Sequence, residues 1–393
     1  MTKVRWVLCA LFIAQLPIAV LEHGIVGGGA PSFAIILVGT LAGLIVTARP
    51  LIVRLSVADA AFALYVVAIL ASTWLNGLTA PAKQYALLAL AVAAYPAGRL
   101  FGQQHPSRAF IWLLAVLLLA GGFATMLALL ESWSDPTVAH PVVLGVSEAV
   151  PAQFLSLVAF IVFALLVVHV DRLERGVLLA ICVVCAAVFA AAQVRFMFVA
   201  LAMVLALAAL RGGYRYAWPG LVGLTGVVAI GMSLRAATST INLGYLLAPA
   251  GCGYQRSSIA MRKQLFNEAV SLLPSSGPFG LGLEGFLAKT CLPGGVEVHN
   301  SLLQAAIEFG WVGGASLAVV LLWGLLRAPA GFAFYGLAFE FALAMMHGHL
   351  AHDSILMFFA GYAVRCSSEV PVQVPSTPIR TAATSPDASV SRT

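Results

Sequence analysis

The stretch AFIWLLAVLLLAGGFATMLALL, residues Ala109–Leu130, contains no charged side chain and no proline. As a helix rising 1.5 Å per residue it would extend about 33 Å, slightly more than the roughly 30 Å of hydrocarbon in a bilayer. Composition carries the reading outward to the whole chain. Of 393 residues, 61% are apolar and only 9% charged, whereas a soluble domain carries about 25% charged residues. Apolar stretches recur along nearly the full length, and no soluble domain of useful size is left between them. The sequence therefore predicts an all-α integral membrane protein.

About twelve transmembrane helices follow from the apolar runs: Trp6–Leu21, Ser32–Val46, Val57–Trp74, Gln84–Ala97, Ala109–Leu130, Gln153–Val170, Gly176–Ala192, Phe196–Leu210, Pro219–Leu234, Leu302–Leu326, Gly331–Met346 and Leu350–Val364. Several are shorter than the ~20 residues of a full crossing, which tilt or re-entrance accommodates. Basic residues set the orientation. With the N-terminus in the cytoplasm, Lys3, Arg5, Arg49, Arg54, Arg99, Arg108, Arg172, Arg175, Arg211, Arg215, Arg327 and Arg365 fall on that side. The opposite side keeps only Lys83 and Arg195 in its short loops. This asymmetry places both termini in the cytoplasm. The net charge of +6 then describes an inner membrane face and not nucleic-acid binding.

Residues 1–366 thus form one polytopic membrane domain. Lys3 and Arg5 before an apolar run imitate a signal peptide, but a second span follows closely and no small-x-small cleavage site stands after Leu21, so the first helix is read as retained. Residues 367–393, rich in Ser, Thr, Pro and Ala, read as a disordered cytoplasmic tail.

Hydropathy breaks once at length, over about 235–300, a loop on the non-cytoplasmic side. It holds Arg235, Arg256, Arg262, Lys263 and Lys289. Long loops translocate regardless of charge, so these cations leave the orientation standing and point to an anionic ligand or a merely solvated surface. Within the loop, Met261–Leu273 reads as an amphipathic helix with Leu265, Phe266, Ala269 and Leu272 on its apolar side. Pro274-Ser275-Ser276-Gly277-Pro278 ends it, and Gly280-Leu281-Gly282-Leu283-Glu284-Gly285-Phe286 follows. The spaced glycines suit a tight turn and an anion-binding nest. They follow no βαβ unit, so nucleotide binding is not read from them. Cys252 and Cys291 share this loop, bracket the helix, and would face an oxidising compartment, so a disulfide is expected. It would stabilise the loop by roughly 4 kcal/mol on a chain-entropy basis. Cys182 and Cys185 lie within a span and read as small hydrophobes.

The loop ends on Val298-His299-Asn300-Ser301-Leu302-Leu303-Gln304-Ala305-Ala306-Ile307-Glu308-Phe309-Gly310-Trp311. A His-Asn pair opens an apolar helix, with Gln304 and Glu308 four residues apart on one face. Polar groups at a membrane-helix mouth are expensive unless solvated, paired or functional. His299 suits a general base, with a helix-entry histidine meeting water as the alternative. Asn300 suits an N-cap or a ligand contact, and Glu308 suits orienting His299 or an arginine, or a bond between helices. Asp59 reads as a cap of the third span. His347, His349, His352 and Asp353 fall on the outer side, where they read as lining a polar cavity, as interfacial residues, or, from the spacing of His349 and Asp353, as metal ligands.

This set resembles the O-antigen ligase and O-antigen/exopolysaccharide polymerase family over about Gln255–Gly314. The correspondence is Arg262 and Phe266 in an Arg-led amphipathic helix, then Pro278, Gly280, Gly282 and Phe286, then His299-Asn300, Leu303-Gln304, Glu308, Gly310 and Gly313. Arg195 matches a Ser-Arg hairpin of the family, with Val194 where the serine would stand. The resemblance implies a glycosyltransferase that needs no cofactor or metal. Its donor would be a glycan on undecaprenyl diphosphate, and its acceptor a sugar hydroxyl of lipid A-core in a ligase or of another lipid-linked glycan in a polymerase. His299 and Arg262 would be catalytic. Arg195, Arg256, Asn300, Gln304, Glu308, Gly280, Gly282 and His349 would bind substrate, with Arg256 the alternative to Arg262 at the diphosphate. A transporter or flippase is the main rival and would need ionisable residues at mid-span, for which His169 and Glu340 are the nearest candidates. A non-catalytic assembly subunit is the third reading.

Overall fold

The computed structural model describes residues 2–14, 30–48, 54–101, 106–117, 195–210, 258–291, 298–346 and 353–369, with a few isolated positions besides. Among the described residues the chain is helical, without a β-strand. In chain order the helices are α1 (Thr2–Ile13), α2 (Ala30–Val46), α3 (Val57–Asn76), α4 (Ala82–Phe101), α5 (Arg108–Leu117), α6 (Arg195–Leu210), α7 (Ser258–Ser276), α8 (Ser301–Glu308), α9 (Gly310–Arg327), α10 (Phe332–Ala344) and α11 (Ser354–Glu369). By length and composition, α3 and α9 can cross a membrane, while Ile35–Val46, Arg108–Leu117, Val199–Leu210 and Phe332–Ala344 are apolar but shorter. The expected spans Gln153–Val170 and Pro219–Leu234, and most of Gly176–Ala192, lie outside the described residues.

Boundaries differ from the sequence reading, and α7 runs through Pro274 to Ser276 where that proline is expected to end it. The run Leu302–Leu326 is not one helix, because Gly310 turns left-handed at φ 76° and separates α8 from α9. In addition, α11 runs on to Glu369, three residues into the stretch read as a tail, with the Ser367 and Ser368 hydroxyls donating to the Val364 carbonyl. The rest of that stretch lies outside the described residues.

Packing is organised by α9 along α3 and α11 along α4. The second pair touches backbone to backbone: a Cβ at Gly98 would stand 2.1 Å from the Phe358 carbonyl oxygen, and one at Gly361 2.1 Å from that of Tyr95. Small residues that admit such an approach hold helices together by dispersion where no hydrophobic effect operates between them. Beside this contact an aromatic cluster fills the core, with Trp6–Phe101 at 4.9 Å, Phe101–Tyr362 at 5.0 Å and Phe110–Phe332 at 5.3 Å between ring centroids.

Arginines gather at one end of this bundle. The Arg99 guanidinium donates Nε to Asp59 Oδ1 and a terminal NH2 to Oδ2, both at 2.7 Å, and also donates to the Arg54 carbonyl at 2.9 Å. Arg5 donates to the Leu100 carbonyl and lies over the Phe101 ring. Asp59 does serve the start of α3, since its Oδ2 accepts the Ser56 N–H at 2.8 Å, but it is also the anchor for Arg99 and accepts from the Tyr95 hydroxyl at 3.0 Å.

Arg99 is 4% exposed and Asp59 13% exposed, so removing either strands a largely desolvated charge. Replacing Asp59 by alanine is expected to cost about 3–5 kcal/mol, and Arg99→Met a similar amount. The double variant should recover much of the loss, because no lone charge remains. Thermal unfolding of the four proteins in detergent reads the cycle; strictly additive losses would mean that the pair is not the source of the stability.

Candidate functional site

The opposite end of the bundle is built around α7 and α8. Leu265 and Ala269 of α7 are fully buried and form a small core with Phe286, Val298 and Ile307, flanked by Met261, Leu272, Leu273, Leu281 and Leu303. Phe266 does not belong to this face. It is 49% exposed, because Leu265 and Phe266 are 100° apart on a helix and the buried direction is centred on Leu265.

The polar side of α7 is pinned by Glu268. Its Oε1 accepts from the Gln264 amide at 2.8 Å, and its Oε2 accepts from the Thr290 hydroxyl at 2.7 Å and the Cys291 N–H at 3.2 Å. Cys291 is disulfide-bonded, and its expected partner Cys252 lies outside the described residues.

The glycine turn after α7 does not hold its amides out to an anion. Gly280 N–H donates to the Ser276 carbonyl at 3.0 Å, Leu281 N–H to Ile307 O at 2.9 Å and Gly282 N–H to Glu308 O at 3.0 Å. In return Trp311 N–H donates to Gly277 O at 3.1 Å and Val312 N–H to Pro278 O at 3.3 Å. The turn therefore fills the gap in the helical ladder where α8 breaks from α9, and this corrects the nest reading of Gly280 and Gly282. Close approach is what these glycines supply: a Cβ at Gly280 would stand 2.3 Å from Glu308 O, and one at Gly310 2.2 Å from the Pro278 carbonyl. The end of α3 completes the clasp, with Ser72 Oγ donating to Glu308 O at 2.7 Å, Asn76 Nδ2 to Gly280 O at 3.2 Å and Thr79 Oγ1 to Leu283 O at 2.7 Å. No local signal marks Ser72 or Thr79, whose partners lie more than 200 residues away in the chain.

At the mouth of α8, Asn300 is the N-cap: its side-chain oxygen accepts the Leu303 N–H at 2.9 Å. This favours the capping reading over a ligand contact. His299, immediately before it, holds φ 56°, a left-handed backbone uncommon outside glycine. Such a conformation persists only where surrounding contacts impose it, and functional sites are where it concentrates. Both His299 and Arg262 are partly exposed. Burial lowers the Arg262 guanidinium from its ordinary value; an arginine so shifted still carries its charge at neutral pH, and loses some of the water that would screen it.

Behind the mouth runs a buried polar line. Gln304 Nε2 donates to Glu308 Oε1 at 3.2 Å, the contact implied by their spacing. Both are at most 2% exposed, so they support the mouth from behind. Ser301 Oγ donates to Asp353 Oδ2 at 2.8 Å, joining α8 to the start of α11. Tyr65 lies within electrostatic reach of Asp353 and Glu308, and Glu340 within reach of Asp353. Of the other expected site residues, Arg256, His347, His349 and His352 lie outside the described residues, and Arg195 is the first residue of α6, its side chain not among those described. Compared with known proteins, the chain matches no protein-family model, no curated protein and no solved structure.

Proposed function

We propose that this chain is a polytopic inner-membrane glycosyltransferase of the O-antigen ligase type, with about twelve spans and the α7–α8 region on the periplasmic side. It would move a glycan from undecaprenyl diphosphate to a sugar hydroxyl of lipid A-core or a similar acceptor; joining of lipid-linked repeat units by a polymerase uses the same donor and is the alternative. The observation that carries the reading is the shared core of α7 and α8: Met261 and Val298, chain neighbours of Arg262 and His299, pack into one cluster. The proposed diphosphate-binding cation and base thus each stand beside a residue of one packed cluster. Orientation is supported by Arg5, Arg54 and Arg99 meeting at one end of the bundle while the glycine turn meets Asn76 and Thr79 at the other.

In the reaction the acceptor hydroxyl oxygen attacks the anomeric carbon, its proton passes to His299, and the bond to the diphosphate oxygen breaks. Arg262 offers a planar fork of donors to the charge that accumulates on the departing carrier. The rival reading, flipping of a lipid-linked glycan, draws on Glu340, which is 8% exposed in an otherwise apolar helix.

Purified protein in vesicles, given undecaprenyl-diphosphate glycan and either acceptor, is expected to yield free carrier diphosphate and an elongated acceptor. A change in donor sidedness with no new glycosidic product would replace transfer by flipping. Reporter fusions after Arg54 and Arg108 should read cytoplasmic and one after Gly253 periplasmic; a cytoplasmic Gly253 would end the transfer reading.

A further inference from the structure

Among the described residues, both helices long enough to cross a membrane carry an exposed tryptophan at the same end. Trp74, 88% exposed, stands in the last turn of α3, and Trp311, 51% exposed, in the first turn of α9. These ends are tied together by Ser72 donating to the Glu308 carbonyl. Tryptophan collects at the boundary between headgroups and acyl chains, so the pair marks a level on the protein. The Trp311 indole N–H donates to the Leu273 carbonyl of α7 at 2.9 Å, which brings the C-terminal part of α7 to that level. On α7, Arg262, Phe266 and Val270 follow at intervals of four, neighbours along the helix surface. Phe266 and Val270 are 49% and 46% exposed, on the flank of a helix whose adjoining face, through Leu265 and Ala269, is already buried in the small core shared with α8.

We infer that this exposed flank lies in the lipid boundary of the leaflet on the site side, and that it sets the depth of Arg262. The occupant is bilayer lipid. A helix lying in that plane buries its apolar residues among acyl chains near the headgroups and leaves its cations at the phosphates. Arg262, one turn before Phe266, then stands at the level of lipid phosphate, where the diphosphate of a lipid-linked donor would also stand. The inference rests on the membrane part of the reading above and not on glycan transfer.

The test uses the full chain in vesicles containing a phospholipid with a photoreactive diazirine near the glycerol end of one acyl chain, with adducts mapped by mass spectrometry. Adducts are expected on the Phe266–Val270 turn as well as at Trp74 and Trp311. The Phe266→Asp, Val270→Asp variant should lose those on α7 and keep the one at Trp74. Labelling at both tryptophans with none on α7 overturns the inference, and no labelling at any of these positions overturns the membrane reading with it. A Phe266→Cys variant whose chains are joined to each other by a short thiol cross-linker, without lipid adducts, would give the flank to a second copy and equally overturn it.

Discussion

With His299 replaced by alanine, the purified chain is expected to transfer glycan about 10²–10⁴-fold more slowly, the usual contribution of a positioned acid–base group. Arg262→Ala is expected to lose about 10²–10³-fold, as when one preorganised donor is removed from developing charge. Arg262→Lys keeps the charge and loses the fork, so it should remain impaired. His299→Gly separates chemistry from backbone. Glycine accepts the left-handed conformation at φ 56° without strain, so this variant should be as stable as the parent, or more so by about 1 kcal/mol, and still inactive. The assay is release of carrier diphosphate and growth of the acceptor, run with a chelator present and at matched amounts of inserted protein. Parental rates from His299→Ala and Arg262→Ala would remove both residues from the mechanism. Activity in His299→Gly but not His299→Ala would make the position a backbone hinge instead of a base.

The second large effect is on stability. Gly280→Ala and Gly310→Ala each place a methyl within 2.3 Å of backbone on the other side of one contact, at φ 77° and 76° respectively. Backbone cannot move aside as a side chain can, so each is expected to cost more than about 4 kcal/mol. The double variant should cost little more than either single one, since the first substitution already parts the turn from the helix break. Gly277 supplies the control. It is also left-handed, at φ 64°, but a Cβ there meets nothing within 4 Å, so Gly277→Ala should cost only the roughly 1–2 kcal/mol of the backbone conformation. Chemical unfolding in detergent distinguishes them, and equal losses at all three positions would show that conformation and not contact governs the turn.

What was legible in the sequence was local. The four-residue spacing of Gln304 and Glu308 specifies their bond, Asn300 before an apolar run specifies a cap, and Asp59 in a first turn specifies helix initiation. What was not legible depends on partners distant in the chain. Arg99 reads from sequence as a charge at the membrane surface, and only the approach of α3 to α4 makes it the buried partner of Asp59. Phe266 reads as part of the apolar face because an amphipathic pattern defines a broad arc, and which part of the arc is covered depends on where α8 lies. The break at Gly310 escapes hydropathy altogether: a glycine is tolerated within an apolar helix, and its left-handed turn becomes visible only with the turn that repairs the ladder. Of the candidate site, His299 and Arg262 stand out as residue types; the bond from Ser301 to Asp353 joins residues 52 apart in the chain, which no local pattern marks.

The clasp between the glycine turn and the helix break is written in atoms that nearly every residue possesses. Its four crossing bonds join main-chain N–H groups of Leu281, Gly282, Trp311 and Val312 to main-chain carbonyls of Ile307, Glu308, Gly277 and Pro278. These four bonds ask nothing of side-chain identity, provided positions 280 and 310 stay bare. A lineage carrying this frame can change the residues exposed around the mouth without renegotiating the backbone clasp beneath.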